Sequence, residues 1–113
     1  MEPEDHHLIK AEVERRQYRR VRLVIQVQCE AQGRNEIMVT RDVSMGGMFI
    51  HDRFPLSLES ELSLTFRLDP AEPPLTCRAR VTFSRLGLGM GIQFLDLSAE
   101  AQQTIQKFVD DID

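Results

Sequence analysis

Residues 21–30 read VRLVIQVQCE. From Val21 onward, Val21, Leu23, Ile25, Val27 and Cys29 share one face, while Arg22, Gln26, Gln28 and Glu30 share the other. A period of two belongs to a pleated strand with one side in a core and the other in water, so this run predicts a half-buried strand. Working outward, AQGRN (31–35) supplies turn residues and IMVTRDVS (37–44) continues as a second strand, which makes a hairpin. After Gly46 and Gly47 comes a short apolar strand, MFI (48–50), and then the loop HDRFPLSLES (51–60). Leu62, Leu64, Phe66 and Leu68 alternate against Ser63, Thr65 and Arg67, up to DPAEPP (69–74), where three prolines forbid further pairing. Cys77, Ala79, Val81 and Phe83 alternate against Arg78, Arg80 and Thr82, and GLGMGIQF (87–94) closes the series through its glycines. Six short strands joined by turns predict a mainly β chain, an antiparallel barrel or sandwich.

The two ends of the sequence differ from this core. Ser98 stands where a helix N-cap belongs, ahead of Ala101, Ile105, Phe108, Val109 and Ile112 on one face, so a C-terminal helix is expected to cover one side of the β structure. Aspartates near its end oppose the helix macrodipole and predict a frayed last turn. Residues 4–16 carry only Leu8, Ile9, Ala11 and Val13 among polar neighbours, a weak amphipathic pattern that suits a flexible or partly helical arm over residues 1–13.

Length and composition bound the function. A chain of 113 residues with 42% hydrophobic and 28% charged residues is one domain's worth, with a modest core and no room for a deep enclosed pocket. No stretch approaches the roughly 18 apolar residues of a membrane span, and MEPEDHHLIK lacks the basic and apolar regions of a signal peptide, so a cytoplasmic location is expected, without membrane insertion. Cys29 and Cys77 fall on apolar strand faces and read as buried thiols, a bridge between them being the alternative. A net charge of −4 argues against binding DNA through phosphate neutralisation. Yet Arg15, Arg16, Arg19, Arg20 and Arg22 place five of the 14 basic residues within eight positions, a focus that suits a compact anion.

Two motifs give that focus a chemistry. RRQYRRV (15–21) stands at the entrance to the first strand, and DVSMGGMFI (42–50) at the junction of the second and third. Together they resemble the PilZ family, whose hallmarks are RxxxR followed some way on by (D/N)xSxxG. The first maps to Arg16 and Arg20, the second to Asp42, Ser44 and Gly47, and the likeness runs from Glu14 through GMGIQFLDL and the helix after it. The resemblance implies a six-stranded antiparallel barrel over residues 14–113 and a non-enzymatic receptor for cyclic di-GMP. It also implies a change of the arginine arm on binding that regulates a partner protein in motility, chemotaxis, exopolysaccharide synthesis or virulence. The ligand-binding set it implies is Arg15, Arg16, Arg20, Asp42, Ser44, Gly46 and Gly47. Arg15, just before the first motif arginine, occupies the position associated in the family with an intercalated pair of ligand molecules.

The chemistry is consistent with the residue types. A guanidinium is planar, permanently charged and forked, so it can grip a phosphate or the O6/N7 edge of guanine and can stack on a base. A carboxylate such as Asp42 complements guanine N1–H and N2–H, Ser44 adds a hydroxyl, and Gly47 allows close backbone approach or positive φ. Each feature also has a plainer reading. The arginines can be a solvated basic stretch paired with the acids of residues 2–14. Asp42 and Ser44 can stabilise a turn, Gly46 and Gly47 can serve a bulge, and Tyr18 can stack on a base or pack on the barrel.

No nucleophile stands beside a plausible His base, no glycine-rich phosphate loop opens a helix, and His6, His7 and His51 lack metal-ligand spacing, so neither catalysis, a cofactor nor a metal is expected. The alternative functions are a barrel of the same fold that contacts proteins without nucleotide, and an oligonucleotide-binding barrel. The latter would want exposed aromatics, whereas Phe66, Phe83 and Phe94 are expected to face inward. A monomer or weak dimer is expected.

Overall fold

Between residues 31 and 34 the chain must reverse within two residues, and it does so with Gln32 and Gly33 both at positive φ (52° and 79°). That is the turn geometry whose twist matches two antiparallel strands. The computed structural model describes residues 18–112, so the expected arm, with any helix over 4–16, and the expected ligand residues Arg15 and Arg16 lie outside the described residues. Seven strands are seen: β1 (Val21–Arg22), β2 (Gln26–Ala31), β3 (Arg34–Val43), β4 (Gly47–His51), β5 (Glu61–Phe66), β6 (Leu75–Arg85) and β7 (Gly89–Phe94), followed by helix α1 (Ala99–Ile112). The order β1-β3-β2-β5-β6-β7-β4, with β3 pairing β4 as well, closes β2–β7 into a six-stranded antiparallel barrel and leaves β1 as an extra two-residue strand.

The strand expected over 21–30 is thus divided. Val21 and Arg22 pair with Val43 and Asp42, whereas the ladder with β2 resumes at Gln26 opposite Val39. Three residues on one strand face two on the other, which is a bulge. Thr40 fills the gap: its hydroxyl donates to Leu23 O (2.6 Å) and accepts from Ile25 N–H (3.1 Å). The alternation of burial nevertheless runs through the break, with Val21, Val27 and Cys29 buried and Arg22, Gln26, Gln28 and Glu30 exposed. A second irregularity lies in β6, where the register with β7 shifts between Val81 and Phe83. Phe83, expected inward by alternation, is therefore turned out and is 45% exposed.

Inside the barrel, Val27, Val43, Met48, Ile50, Leu64, Val81 and Met90 are buried in one cluster that also takes in Ile105 and Val109 of α1. The helix covers the barrel as expected. Ser98 caps it, its hydroxyl accepting from Ala101 N–H at 3.0 Å. The apolar stripe stops short of its expected end, for Ile112 is 42% exposed beyond the covered stretch. Cys29 and Cys77 are buried free thiols.

Candidate functional site

At one end of the barrel, β3 passes into β4 through the turn 44–46, and the turn holds itself together. Ser44 N–H donates to Gly47 O (2.8 Å), and the Ser44 hydroxyl accepts from Gly46 N–H (3.1 Å) and Gly47 N–H (3.2 Å). The turn is bolted to β7 by Phe94 N–H donating to Gly46 O (2.9 Å). Gly47 has no alternative: a Cβ there would stand 1.9 Å from Ile92 O of β7. The need is for space between strands and not for positive φ, which the expectation had also allowed. Gly46 faces Tyr18, whose ring would lie 2.6 Å from a Cβ at that position. Tyr18 thus packs on the turn, with 38% of its surface left in solvent.

Two residues before Ser44, Asp42 turns a nearly buried carboxylate toward two arginines. Arg20 donates from Nη1 to Oδ1 at 2.6 Å, and Arg41 from Nε to Oδ2 at 3.0 Å. The aspartate side chain is 11% exposed, the guanidinium-bearing side chains 53% and 45%. Arg41 also lies over the Phe49 ring, 3.9 Å from its centroid, and Phe49 is Asp42's partner across the β3–β4 pairing. A charged donor above an aromatic face gains from the ring quadrupole. Sequence reasoning missed Arg41 and Phe49. Counting strand pairs outward from the turn, Val43 against Met48 and then Asp42 against Phe49, would have found the ring; the neighbouring arginine is held over it by the bulge between Thr40 and Asp42.

Of the expected ligand residues, Arg20, Asp42, Ser44, Gly46 and Gly47 come together at this one barrel end. Arg22 pairs with Asp42 across β1 and β3, which adds another exposed cation beside the site. Chemically, this is a half-open surface with two guanidinium groups converging on one carboxylate. It offers donors to phosphate and to a guanine edge, and an acceptor to a guanine N–H. Among its described residues no His or other base stands beside a hydroxyl or thiol. The thiols are remote from such a role: burial, aided by the Asp52 and Glu36 charges, pushes Cys29 up to about 12, and burial followed by Asp96 pushes Cys77 to about 11. Among the described residues no three His, Cys, Asp or Glu side chains gather as a metal site would need, and no helix is long and apolar enough to cross a membrane.

Comparison with known proteins follows the same lines. The family model for the PilZ domain matches residues 14–111. Among solved structures, the Bacillus subtilis inhibitor of motility (MotI/DgrA) superposes with a TM-score of 0.73 at 20% identity, over 86% of this chain and 50% of that one. The Borreliella burgdorferi PlzA protein in complex with c-di-GMP gives 0.67 at 13% identity, over 91% of this chain and 45% of that one. The PilZ domain of CeSA from a cellulose-synthesizing bacterium gives 0.60 at 22%, over 83% and 97%. The chain spans about half the length of the first two, and at these identities the likeness is one of fold. No curated protein sequence matches.

Proposed function

The chain belongs to the PilZ domain family, matched over residues 14–111, and from there we propose that it is a receptor for cyclic di-GMP that passes the signal to a partner protein. The observation that carries this reading is the Arg20–Asp42 pair, 2.6 Å apart beside the glycine turn, which sets Arg20 of the first motif against the second motif at one barrel end. A solved relative of the same fold, PlzA, is a complex with c-di-GMP, and another, MotI, is described as an inhibitor of motility.

In this reading Arg20 and Arg16 grip phosphate and the guanine O6/N7 edge, and Asp42 accepts from guanine N1–H and N2–H. The Ser44–Gly47 turn holds Asp42 in place and keeps side chains out of the ligand's path. Arg20 exchanges its Asp42 contact for ligand oxygens at low cost, because half of its side chain is already hydrated. Ligand thereby gathers the arginine segment across the barrel and changes the surface a partner meets. Arg15 adds a third guanidinium, suited to a second, stacked ligand molecule. The domain does this without catalysis.

Calorimetry with purified protein tests the reading. Cyclic di-GMP is expected to bind at two molecules per chain, cyclic di-AMP not to bind, and Arg16→Ala or Asp42→Ala to lower the affinity by about 100-fold. Protease cleavage around residues 15–22 is expected to slow with ligand. No heat for the wild type at high micromolar ligand would sink the receptor reading. It would favour a protein-binding barrel without nucleotide, a role that the intrachain contacts of Asp42 and Ser44 would serve equally.

A further inference from the structure

The strands that carry the site at one end carry something different at the other. β4 runs from Gly47 at the turn to His51, which pairs with Gly89 of β7. Beyond them, the loop after β4 and the β6–β7 hairpin are laced together: Asp52 N–H to Leu88 O (3.3 Å), Gly87 N–H to Arg53 O (2.8 Å), and the Ser84 hydroxyl to Leu56 O (2.7 Å). The loop's last residues are tied to β6 by Glu59 N–H donating to Val81 O at 2.9 Å. This fixed end presents Phe54 (66% exposed), Leu58 (57%), Phe83 (45%), Leu86 (76%) and Leu88 (40%). They are half of the ten large hydrophobic side chains exposed among the described residues. Scattered exposed apolar residues need no explanation, but four on two hydrogen-bonded loops, with Phe83 of β6 between them and the Phe49 ring (centroids 6.1 Å apart), are gathered on one part of the surface.

The charge at this end is also distinct. Arg53 and Arg85 are exposed, and among the described residues neither forms an ion pair. The neighbouring Asp52 does not offset them outward, since Oδ1 accepts from Phe54 N–H (3.0 Å) and Oδ2 is buried. An apolar patch with two free guanidinium groups thus sits on a chain of net charge −4.

We infer that this end of the barrel is the surface that docks the partner, and that it takes an acidic, apolar segment of another protein. The inference rests on the receptor reading for the partner's existence. Charge complementarity selects the occupant. Acidic side chains on a single segment would meet Arg53 and Arg85 locally while its apolar side chains cover the exposed rings and leucines, whereas an anionic membrane is held by clusters of roughly four or more basic residues, more than this end presents. A second copy offering its acidic helix end, with Asp110, Asp111 and the exposed Ile112, would make a head-to-tail contact, which builds a ring or a filament and not the monomer or weak dimer expected of this chain. β4 joins the two ends in four residue steps, roughly 13 Å at strand rise, so a shift of the ligand turn reaches the docking end through one short paired strand.

The test begins with a library of random 16-residue peptides displayed on phage and selected on the immobilised full chain. A labelled consensus peptide is then measured by fluorescence anisotropy. The expected winners alternate Asp or Glu with large apolar residues. Their affinity should fall at least tenfold in Phe54→Ser/Leu86→Ser, and likewise in Arg53→Glu/Arg85→Glu. Phe54, Leu86 and Arg53 are on exposed loops and Arg85 is the exposed last residue of β6; thermal melting checks folding of the variants, and calorimetry should give wild-type binding of cyclic di-GMP. Preserved nucleotide binding with no enriched peptide, with basic winners, or with affinity indifferent to both pairs would overturn the docking inference while leaving the receptor reading intact. Self-association in sedimentation, or flotation with phosphatidylglycerol vesicles, abolished by the same substitutions would overturn it in favour of a second copy or a lipid surface. Loss of nucleotide binding in the wild type would instead count against the receptor reading.

Discussion

Asp42 and Ser44 are two residues apart, both buried, and both part of one motif, yet their side chains are spent differently. The Ser44 hydroxyl is committed to backbone N–H groups inside its own turn. Asp42's partners are the ends of two long side chains that are about half in solvent. Backbone donors fixed by a turn cannot be exchanged without losing the turn, whereas guanidinium groups can be traded for ligand with little loss of structure. The motif therefore divides into a scaffold, Ser44 to Gly47, and an exchangeable pair, Arg20 and Asp42.

The division can be broken most forcefully at Gly47. Gly47→Ala places a methyl group where Ile92 O stands, so β4 and β7 must part. A loss of about 3 kcal/mol is expected, seen as a melting temperature lower by more than about 10 °C. An unchanged melting curve would mean that the strands yield and that the scaffold half of the argument is wrong. Asp42→Ala comes next and should act on binding: affinity for cyclic di-GMP down by about 100-fold, or about 2.7 kcal/mol, with stability lowered by no more than about 1 kcal/mol. If stability collapses instead, Asp42 belongs to the scaffold. Ser44→Ala is the mirror experiment. It orphans two N–H groups and should cost about 1–2 kcal/mol of stability by denaturant unfolding, with affinity in the folded protein within about threefold of wild type.

The smallest effect comes from a control pair on the outer face. Arg78 donates to Glu61 at 2.7 Å, about the spacing of Arg20 and Asp42, but both side chains are well exposed. The Arg78 hydrogen bond and charge hold the Glu61 carboxyl below its ordinary range. A depressed acid stabilises the fold above its unfolded pKa and loses that contribution as pH falls through the folded value. Arg78→Ala should therefore lower the neutral-pH melting temperature slightly and flatten the acid limb of the stability profile, the two proteins converging as pH falls, with nucleotide binding unchanged. A larger effect would mean that short surface ion pairs hold this barrel, and the contrast drawn at Asp42 would lose its meaning.

Much of this was legible in the residues because burial in a barrel obeys the same period of two that the sequence displays. Val27 and Cys29, Leu62, Leu64 and Phe66, and Cys77, Ala79 and Val81 all face the core as their spacing predicts. What alternation could not carry is a change of register. The bulge at Thr40 divides the first strand while leaving its alternation in place, and the shift after Val81 reverses Phe83. Neither leaves a mark in a pattern of apolar and polar letters, since a bulge depends on how many residues the partner strand contributes. The site was legible where a residue type was needed for its own sake, as with Gly47. It was not legible at Arg41, whose position over Phe49 is produced by pairing. Ile112 faces solvent because helical spacing says which side of a helix is apolar, and says nothing about how far the barrel beneath it extends.

The closure of the sheet also bears on how this domain can be recognised. Each of β2 to β7 has a paired neighbour on both sides over part of its length, and the extra strand β1 is only two residues long. Among the described residues, free backbone N–H and C=O groups are left only over parts of strands, such as Arg34–Met38 of β3, and no whole strand offers an open edge for an incoming chain to extend. Recognition of ligand or partner then rests chiefly on side chains. A handful of surface substitutions is then enough to redirect what it recognises without touching how it folds.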